Sequence, residues 1–485
     1  MIKSHRMLQA KETGRVLEIK QTIAKVDGLS TCLYGQKVNF QNDVSGMIMG
    51  FNSHEVSVLL LMGKETIRAG DPAYSLFEIF DIPVGEAFLG RIVNALCEPL
   101  DNRGPIPHSV RRPVFGEAVP VLERKPVEQP IETGIKILDT MIPIGRGQRE
   151  LIIGDRMTGK TTLVTDIMLN QKGKGIVCIY CCIGKSEAAL NKVIQILQGS
   201  GAMEYSIVVA ATASSPPAQQ YLAPYVACSL GEFFMNQGQH VLVGFDDFTR
   251  HAWVYRQLSL LMERSPGRDA YPGDVFYLHS RMIELAANMG EKRGDGSMTF
   301  LPIVETLQGD VTGYIPSNLI SMTDGQIYVN TELFREGFKP AIDLGLSVSR
   351  IGSKVQWPAI KTLSGMLRLE YIQYKELERL TRFKSGALEE IEARLKKGRI
   401  LKELLKQDRN YPVPMEEQVV ILYLYREGKL NSFPNEKIRH LQKMILNFVR
   451  EEKPELLKEI ATQKTLTPEI KEALDKLPLD KISEG

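Results

Sequence analysis

The sequence predicts a multidomain protein with an N-terminal β-barrel, a central α/β domain and a C-terminal α-helical domain. Its 485 residues are too many for one compact domain. Short β-type runs give way near residue 81 to strands that alternate with helices, and after residue 357 the apolar period becomes purely helical. The predicted domains are therefore residues 1–80, 81–356 and 357–485.

The composition is that of a folded soluble protein, because 43% of the residues are hydrophobic and 24% are charged. Lys and Arg number 60 and Asp and Glu 58, which leaves a net charge of +2. A protein with such balanced charges has no general electrostatic attraction to nucleic acid or acidic lipid. Any anion that it binds must be held by a local group of residues. No apolar run approaches the roughly 20 residues of a membrane span. The first residues lack a signal-peptide core, so an intracellular protein is expected.

The N-terminal region contains short runs rich in Val, Ile and Leu, separated mostly by turn residues. These runs are Gly14–Ile19, Gln21–Val26, Val44–Phe51 and Glu55–Met62. Short strands at this spacing, with few helical patterns between them, predict a small β-barrel or sandwich.

The central region alternates apolar strand-like runs with helical stretches, which predicts a mostly parallel sheet covered by helices. The runs are Leu151–Ile153, Ile176–Ile183, Ile207–Ala211 and Val241–Phe245. The cysteines of the second run are predicted to be buried reduced thiols, with a metal or redox role as the alternative.

The C-terminal region has the apolar spacing of amphipathic helices, as in Ile438, Leu441, Ile445 and Phe448. The sequence Thr467-Pro-Glu predicts a helix start, with a capping hydroxyl followed by a proline in the first turn.

A phosphate-binding loop gives the strongest indication of function. Residues 154–161 match G-x-x-x-x-G-K-[ST], between the strand-like 149–153 and the helical Thr161–Leu169. In such a loop the glycines let backbone amides face phosphate oxygens, the lysine reaches the β- and γ-phosphates, and the last hydroxyl ligates Mg²⁺. The predicted nucleotide-binding residues are Gly154, Asp155, Arg156, Met157, Thr158, Gly159, Lys160 and Thr161.

A second element supports this interpretation. The apolar run 240–245 ends in Asp246 and Asp247. Carboxylates at the C-terminal end of a parallel strand lie where α/β sheets bind ligands. Asp246 is therefore predicted to contribute, with Thr161, to the binding of Mg²⁺. The alternative interpretation is that Asp246 and Asp247 are a pair of capping aspartates.

Several motifs together resemble the alpha subunits of F-type ATP synthases. Besides the phosphate loop, they are Tyr221–Tyr225, Ser265–Arg281, Ser321–Ile327 and Gly345–Ser353. The similarity runs from about residue 14 to beyond residue 420.

The resemblance implies a RecA-like central domain that binds Mg-ATP, in a subunit that alternates with beta-type subunits in a ring around a gamma-type stalk. Residues 265–274 would line the sleeve in which gamma turns. Arg350 matches the arginine finger that reaches the catalytic site of the neighbouring beta subunit. The membrane would be reached only through the rest of the complex, on the cytoplasmic side of the bacterial inner membrane. Little sequence precedes Gly14, so the contact with the peripheral stalk is expected to be weakened or made differently.

Lys185 stands where beta-type subunits have a catalytic glutamate and alpha-type subunits a glutamine. An ammonium group cannot act as that carboxylate base, so the protein's own site is predicted to be non-hydrolytic. Lys185 is expected to pair either with phosphate or with Glu187.

The resemblance also implies an adenine pocket, and here the sequence departs from the family. Phe334 matches the aromatic residue near adenine and Gln407 matches one adenine-contacting glutamine. Lys339 replaces the usual arginine, and Arg409 occupies the place of the second glutamine, which puts the base selectivity in question.

Two other functions remain as alternatives at this stage. A ring-shaped RNA translocase of the Rho type would need aromatic and basic residues interleaved on the barrel. A stand-alone export ATPase would need its own catalytic glutamate, against which Lys185 argues.

Overall fold

The computed structural model describes residues 11–41, 44–62, 66–381 and 389–484. The protein forms two compact units. The barrel unit contains the residues up to Glu123, Val177–Met298 and Ser317–Leu319. The phosphate-loop unit contains Arg124–Ile176, Thr299–Pro316 and the residues from Ile320 onwards. The domain boundaries after residues 80 and 356 stay a prediction.

The secondary structure consists of strands and α-helices with short 3₁₀ turns. The strands are β1 (Glu12–Lys20), β2 (Ile23–Asp27), β3 (Gln36–Phe40), β4 (Ser45–Phe51), β5 (Val56–Leu60), β6 (Pro72–Ile79), β7 (Asp81–Val84), β8 (Ile92–Val93), β9 (Val110–Pro113), β10 (Pro130–Ile131), β11 (Ile144–Gly145), β12 (Glu150–Gly154), β13 (Ile176–Ile183), β14 (Ser206–Ala211), β15 (His240–Asp246), β16 (Ala287–Asn288), β17 (Ser297–Glu305), β18 (Gly325–Val329) and β19 (Val348–Ser349). The helices are α1 (Lys136–Met141), α2 (Lys160–Leu169), α3 (Glu187–Gly199), α4 (Pro217–Met235), α5 (Phe248–Leu261), α6 (Val275–Ile283), α7 (Tyr314–Met322), α8 (Thr331–Arg335), α9 (Pro358–Ser364), α10 (Leu367–Thr381), α11 (Glu389–Leu405), α12 (Met415–Arg426), α13 (Ile438–Glu452), α14 (Pro454–Gln463), α15 (Pro468–Asp475) and α16 (Leu479–Glu484).

The barrel is closed by antiparallel pairing in the order β1-β2-β5-β4-β3-β6, with β6 returning to β1. The four runs predicted from the sequence are confirmed as β1, β2, β4 and β5. Strands β3 and β6 were missed because β3 has only two apolar residues, Val38 and Phe40, and β6 begins at a proline. Alternate residues point inward, and Val26, Ile48 and Val58 are fully buried in the barrel core.

Strands β8, β13, β14 and β15 of the barrel unit form part of a parallel sheet, whereas β7 and β9 pair with each other in the antiparallel direction. Strand β14 lies between β13 and β8, and both pairings are parallel. Strand β15 is the other neighbour of β13. Every residue of β13 is buried, as expected for a strand covered on both faces. This sheet carries Asp246 at the C-terminal end of β15.

The phosphate-loop unit has its own parallel strands. Strand β12 lies between β17 and β18, and β19 adds to β18 in the antiparallel direction. The helices from α9 to α16 follow, which confirms the predicted C-terminal helical region. Thr467 caps α15 as predicted, since its hydroxyl accepts a hydrogen bond from the Ile470 amide.

The Ile48→Ala substitution tests the barrel core. Removal of this fully buried side chain is expected to lower the free energy of unfolding of the barrel by about 2–5 kcal/mol, because a cavity is left. Urea unfolding, followed by circular dichroism, measures the change. Leu17→Ala, at a position that is 48% exposed, is the matched control and should change stability by less than about 0.5 kcal/mol. Equal losses for the two variants would contradict the described register.

Candidate nucleotide-binding site

The phosphate loop connects strand β12 to helix α2, as the sequence predicted. Gly154 is at the end of β12, and a Cβ atom placed on it would be 2.3 Å from the carbonyl oxygen of Val329 in β18. Gly159 has a φ of +102° and precedes the first residue of α2. Both positions therefore require glycine, the first for close approach of two backbones and the second for a left-handed conformation.

The Asp155 carboxylate stabilises this loop by accepting hydrogen bonds from other segments of the phosphate-loop unit. Its Oδ1 accepts hydrogen bonds from the Thr306 hydroxyl at 2.7 Å and the Gly309 amide at 2.8 Å, and its Oδ2 accepts one from the Thr331 hydroxyl at 2.8 Å. Burial raises the pKa of Asp155, but these hydrogen bonds outweigh it, so the pKa lies below its ordinary value. Asp155 thus acts on the loop through its side chain, which the motif alone did not reveal.

The other predicted loop residues differ in exposure. The Arg156 guanidinium is paired with Glu305 at 2.8 Å. Met157 is 92% exposed and has a positive φ, so it projects from the loop. Thr158 is buried, and its hydroxyl donates to the carbonyl oxygen of Asp155. Of these side chains, only that of Met157 projects fully into solvent.

Lys160 is the first residue of α2 and is only 5% exposed. Its ammonium group donates to the carbonyl oxygens of Gly154, at 2.8 Å, and Asp155. The lysine therefore folds back over the loop, where the positive helix end adds to its charge. Thr161 follows in the first turn of α2 and is half-buried.

The predicted base-binding residues lie in the same unit. The Phe334 ring comes within 4.0 Å of a Cβ atom placed on Gly159, so it borders the phosphate loop. The Lys339 ammonium lies 4.5 Å from the centre of that ring, at cation–π distance. The structure thus brings the predicted aromatic residue to the loop and adds a cation over its face.

Gln407 is buried and holds backbone groups. Its Nε2 donates to the carbonyl oxygens of Gly134 at 2.7 Å and Tyr411 at 2.9 Å, and its Oε1 accepts from the Lys136 amide at 3.1 Å. Its own amide donates to the Lys339 carbonyl oxygen. Both amide protons of the side chain are therefore used inside the protein.

Arg409 is exposed, and no hydrogen bond or close ion pair among the described residues fixes its guanidinium. The next residue, Asn410, donates its backbone amide to Asp166 Oδ1 at 2.9 Å, which ties this segment to α2. Burial raises the pKa of Asp166 to about 6, while the Asn410 amide and the Arg409 charge act in the opposite direction.

Asp246 lies in the barrel unit and is fully buried. Its Oδ2 accepts a hydrogen bond from the Tyr180 hydroxyl at 2.9 Å. The Lys185 ammonium is 2.7 Å from Asp246 Oδ1 and 3.5 Å from Asp247 Oδ2. Burial raises the pKa of Tyr180 well above its ordinary value, so this hydroxyl stays protonated and donates.

Lys185 therefore pairs with Asp246, whereas the sequence had left phosphate and Glu187 as its partners. Glu187 is in the first turn of α3. Its carboxylate accepts a hydrogen bond from the Ser214 hydroxyl at 2.7 Å. The buried aspartate is thus the carboxylate that the lysine neutralises.

Arg350 follows β19 and is exposed. Its backbone amide donates to the carbonyl oxygen of Asp324, whose carboxylate is in turn paired with Arg149 at 2.8 Å. No hydrogen bond or ion pair within the described residues holds the Arg350 guanidinium. A fixed backbone thus presents a long cationic side chain to solvent.

The cysteines are buried free thiols, which is the first of the two interpretations given for the sequence. All six belong to the described residues and are buried without forming a disulfide. Within the described ranges, no group of three or more His, Cys, Asp or Glu side chains could hold a metal ion. Among the helices of the described residues, none is both long enough and apolar enough to cross a membrane.

Strand β12, its glycine-bearing turn and helix α2 define a P-loop nucleotide-binding protein. Comparison with models of known protein families supports this class of protein. The model of the ATP synthase alpha/beta family nucleotide-binding domain matches residues 134–349. The β-barrel domain of that family matches residues 10–76, and its C-terminal domain matches residues 356–479.

Curated relatives carry the same assignment over nearly the whole sequence. ATP synthase subunit alpha of Clostridium botulinum strain Alaska E43 is 46% identical over 473 residues, which is 98% of this chain and 94% of the relative. The subunit alpha of strain Hall is 47% identical over 465 residues, or 96% and 92% of the two proteins. The chain belongs to the ATP synthase alpha/beta family. The predicted fold class and the resemblance to alpha subunits are confirmed.

The raised pKa of Asp166 predicts a dependence of stability on pH. A carboxyl group with a raised pKa favours the folded state fully below pH 4, and this contribution is lost as the pH rises through about 6. Asp166→Asn keeps an oxygen for the Asn410 amide and removes the charge. We expect it to be more stable than the wild type by about 2–3 kcal/mol at pH 7.5 and nearly equal to it at pH 4.

Urea unfolding at the two pH values measures this difference. Glu390→Gln, at an exposed position of α11, controls for the loss of one negative charge. A stability difference between wild type and Asp166→Asn that did not change with pH would contradict the assignment.

Proposed function

We propose that the protein is the non-catalytic, nucleotide-binding subunit of a rotary ATP synthase, and that it lends Arg350 to a catalytic site on an adjacent beta-type subunit. The observation that carries this proposal is the Arg350 guanidinium, exposed and without a partner among the described residues, on a backbone fixed by Asp324. A rigid, permanently charged fork supplied in trans stabilises the negative charge that spreads over a transferring phosphoryl group.

The phosphate loop supports binding of ATP by this subunit. Gly159 leaves room for a ligand against the backbone, and Lys160 supplies a buried positive charge beside it. Backbone amides at the start of α2 point in the direction that a polyphosphate needs. The loop, its lysine and the helix end together bind the phosphates and hold them beside Phe334.

Mg²⁺, which would neutralise phosphate charge when bound, is proposed to involve the Thr161 hydroxyl at the start of α2. A hydroxyl is a hard oxygen ligand, so this residue type fits the ion. In the barrel unit, the Lys185 ammonium lies 2.7 Å from Asp246 and balances that carboxylate. The magnesium-binding role predicted for Asp246 stays a prediction.

The same lysine supports a non-hydrolytic site. General-base activation of water needs a carboxylate at the place that Lys185 occupies, and an ammonium paired with Asp246 cannot accept a proton. The nearby Glu187 is held by Ser214. We therefore assign nucleotide binding without cleavage to this subunit.

The partners follow from the same proposal. The protein would alternate with beta-type subunits in a ring around a gamma-type stalk, with residues 265–274 lining the sleeve. ATP synthesis or hydrolysis would thereby be coupled to ion transport by separate membrane subunits, on the cytoplasmic side of the membrane. The peripheral-stalk contact named in the sequence analysis concerns the segment before Gly14, of which residues 1–10 lie outside the described residues.

The purified protein is expected to bind Mg-ATP and to hydrolyse almost none. Lys160→Ala should weaken binding about 10- to 100-fold, because a charge-assisted contact to phosphate is lost. Isothermal titration measures affinity, and phosphate release measures turnover. Lys396→Ala, which removes an exposed lysine of α11, should leave affinity unchanged. Robust turnover by the isolated wild-type protein would refute the non-catalytic assignment.

The Arg350→Ala substitution tests whether this arginine contributes to the catalytic site of an adjacent subunit. In the complex reconstituted with beta- and gamma-type subunits, we expect turnover to fall by roughly 10³-fold or more, because the stabilising guanidinium is missing. Assembly should persist, since the side chain holds nothing within its own subunit's described residues. Arg335→Ala, at an exposed arginine of α8, is the matched control. Equal turnover for Arg350→Ala and wild type would remove Arg350 from the mechanism.

A further inference from the structure

The base-binding side of the site lacks the free amide group that the sequence predicted there. Gln407 was predicted to contact adenine, but it uses both Nε2 protons on the carbonyl oxygens of Gly134 and Tyr411. Its Oε1 accepts from the Lys136 amide, and the residue is only 8% exposed. Gln407 is therefore a positioning residue, which holds the segment on which Arg409 lies.

Among the residues predicted to meet a base, those that still have polar groups to offer are cationic. Lys339 lies over the Phe334 ring, and Arg409 is exposed on a segment tied to α2 through Asn410 and Asp166. Lysine and arginine side chains carry donors and no acceptor. Hydrogen-bond recognition from these positions is accordingly limited to acceptor atoms of the base.

Purines differ at the position where this limit matters. Adenine presents an amino donor at position 6, whereas guanine presents the O6 acceptor there, and both present N7 as an acceptor. A guanidinium pairs well with O6 and N7 together but can use only N7 of adenine. A glutamine in the place of Arg409 would offer both a donor and an acceptor, and could therefore satisfy adenine.

We propose that this site binds 6-oxopurine nucleoside triphosphates at least as tightly as ATP, and that Arg409 sets this selectivity. The inference rests on the proposed function, since it requires the phosphate loop to bind a nucleotide. Phe334 stacks on either purine, and the loop holds either triphosphate. The group at position 6 of the base then decides which nucleotide is favoured, through Arg409.

The test compares ATP with ITP, which differ at the 6-position edge of the purine and share the rest of the molecule. Isothermal titration of the full-length protein with each nucleotide, in excess Mg²⁺, gives the ratio of the two dissociation constants. We expect the wild type to bind ITP as tightly as ATP or more tightly. Arg409→Gln should shift the ratio toward ATP by about 5- to 10-fold, which is the effect of one charge-assisted hydrogen bond exchanged for a neutral one.

Two further variants separate selectivity from folding. Arg394→Gln, at an exposed arginine of α11, is the matched control and should leave the ratio unchanged. Gln407→Ala should weaken ATP and ITP by the same factor, because it loosens the segment without removing a contact to the base. Thermal unfolding of each variant shows whether the fold is retained.

The outcomes are distinct. A wild type that binds ATP more than about threefold tighter than ITP, a ratio that Arg409→Gln leaves unchanged, or a selective loss of ATP in Gln407→Ala would each overturn the inference. Binding of neither nucleotide by the wild type would instead overturn the proposed function itself. Comparable binding of the two nucleotides with a shifted ratio in Arg409→Gln alone supports both.

Discussion

The site depends on the close approach of two backbones, where Gly154 at the end of β12 meets the Val329 carbonyl of β18. No side chain fits there, so only glycine allows the backbone to lie against β18 where the strand ends and the loop to α2 begins. The Asp155 carboxylate then fixes the turn through three hydrogen bonds from within its own unit. A backbone held in this way keeps its amides directed at a ligand without reorganisation, which is how a preorganised anion site gains affinity.

The sequence alone was sufficient to predict the features that depend on a continuous stretch of residues. The barrel, the parallel strands and the loop 154–161 follow from local periodicity and spacing. Partners distant in the sequence were not accessible: Asp155 contacts residues about 150 to 180 positions away, and Gln407 reaches Gly134. A motif identifies Gln407 by analogy, but only the fold shows that its amide is already occupied. Strand β3 was missed because only two of its five residues are apolar, so it forms no apolar run.

Cations replace neutral amides or a carboxylate at more than one place in this protein. Lys185 balances the buried Asp246, and Lys339 and Arg409 replace other residues where the family binds a base. Only Arg409 adds an unbalanced positive charge, because Lys339 keeps the charge of the arginine it replaces and Lys185 is paired with Asp246. The net charge of the whole protein is only +2, so a polyanion would be attracted by such local charges and not by the protein as a whole.

Lys136 extends this arrangement into the C-terminal helices. Its buried ammonium donates to the carbonyl oxygens of Leu404 and Lys406, and to Gln442 Oε1 of α13 at 3.0 Å. The backbone amide of the same lysine holds Gln407. One residue therefore connects the end of α11, helix α13 and the segment that carries Gln407. A displacement of these helices would consequently be transmitted through Lys136 to the Gln407 segment.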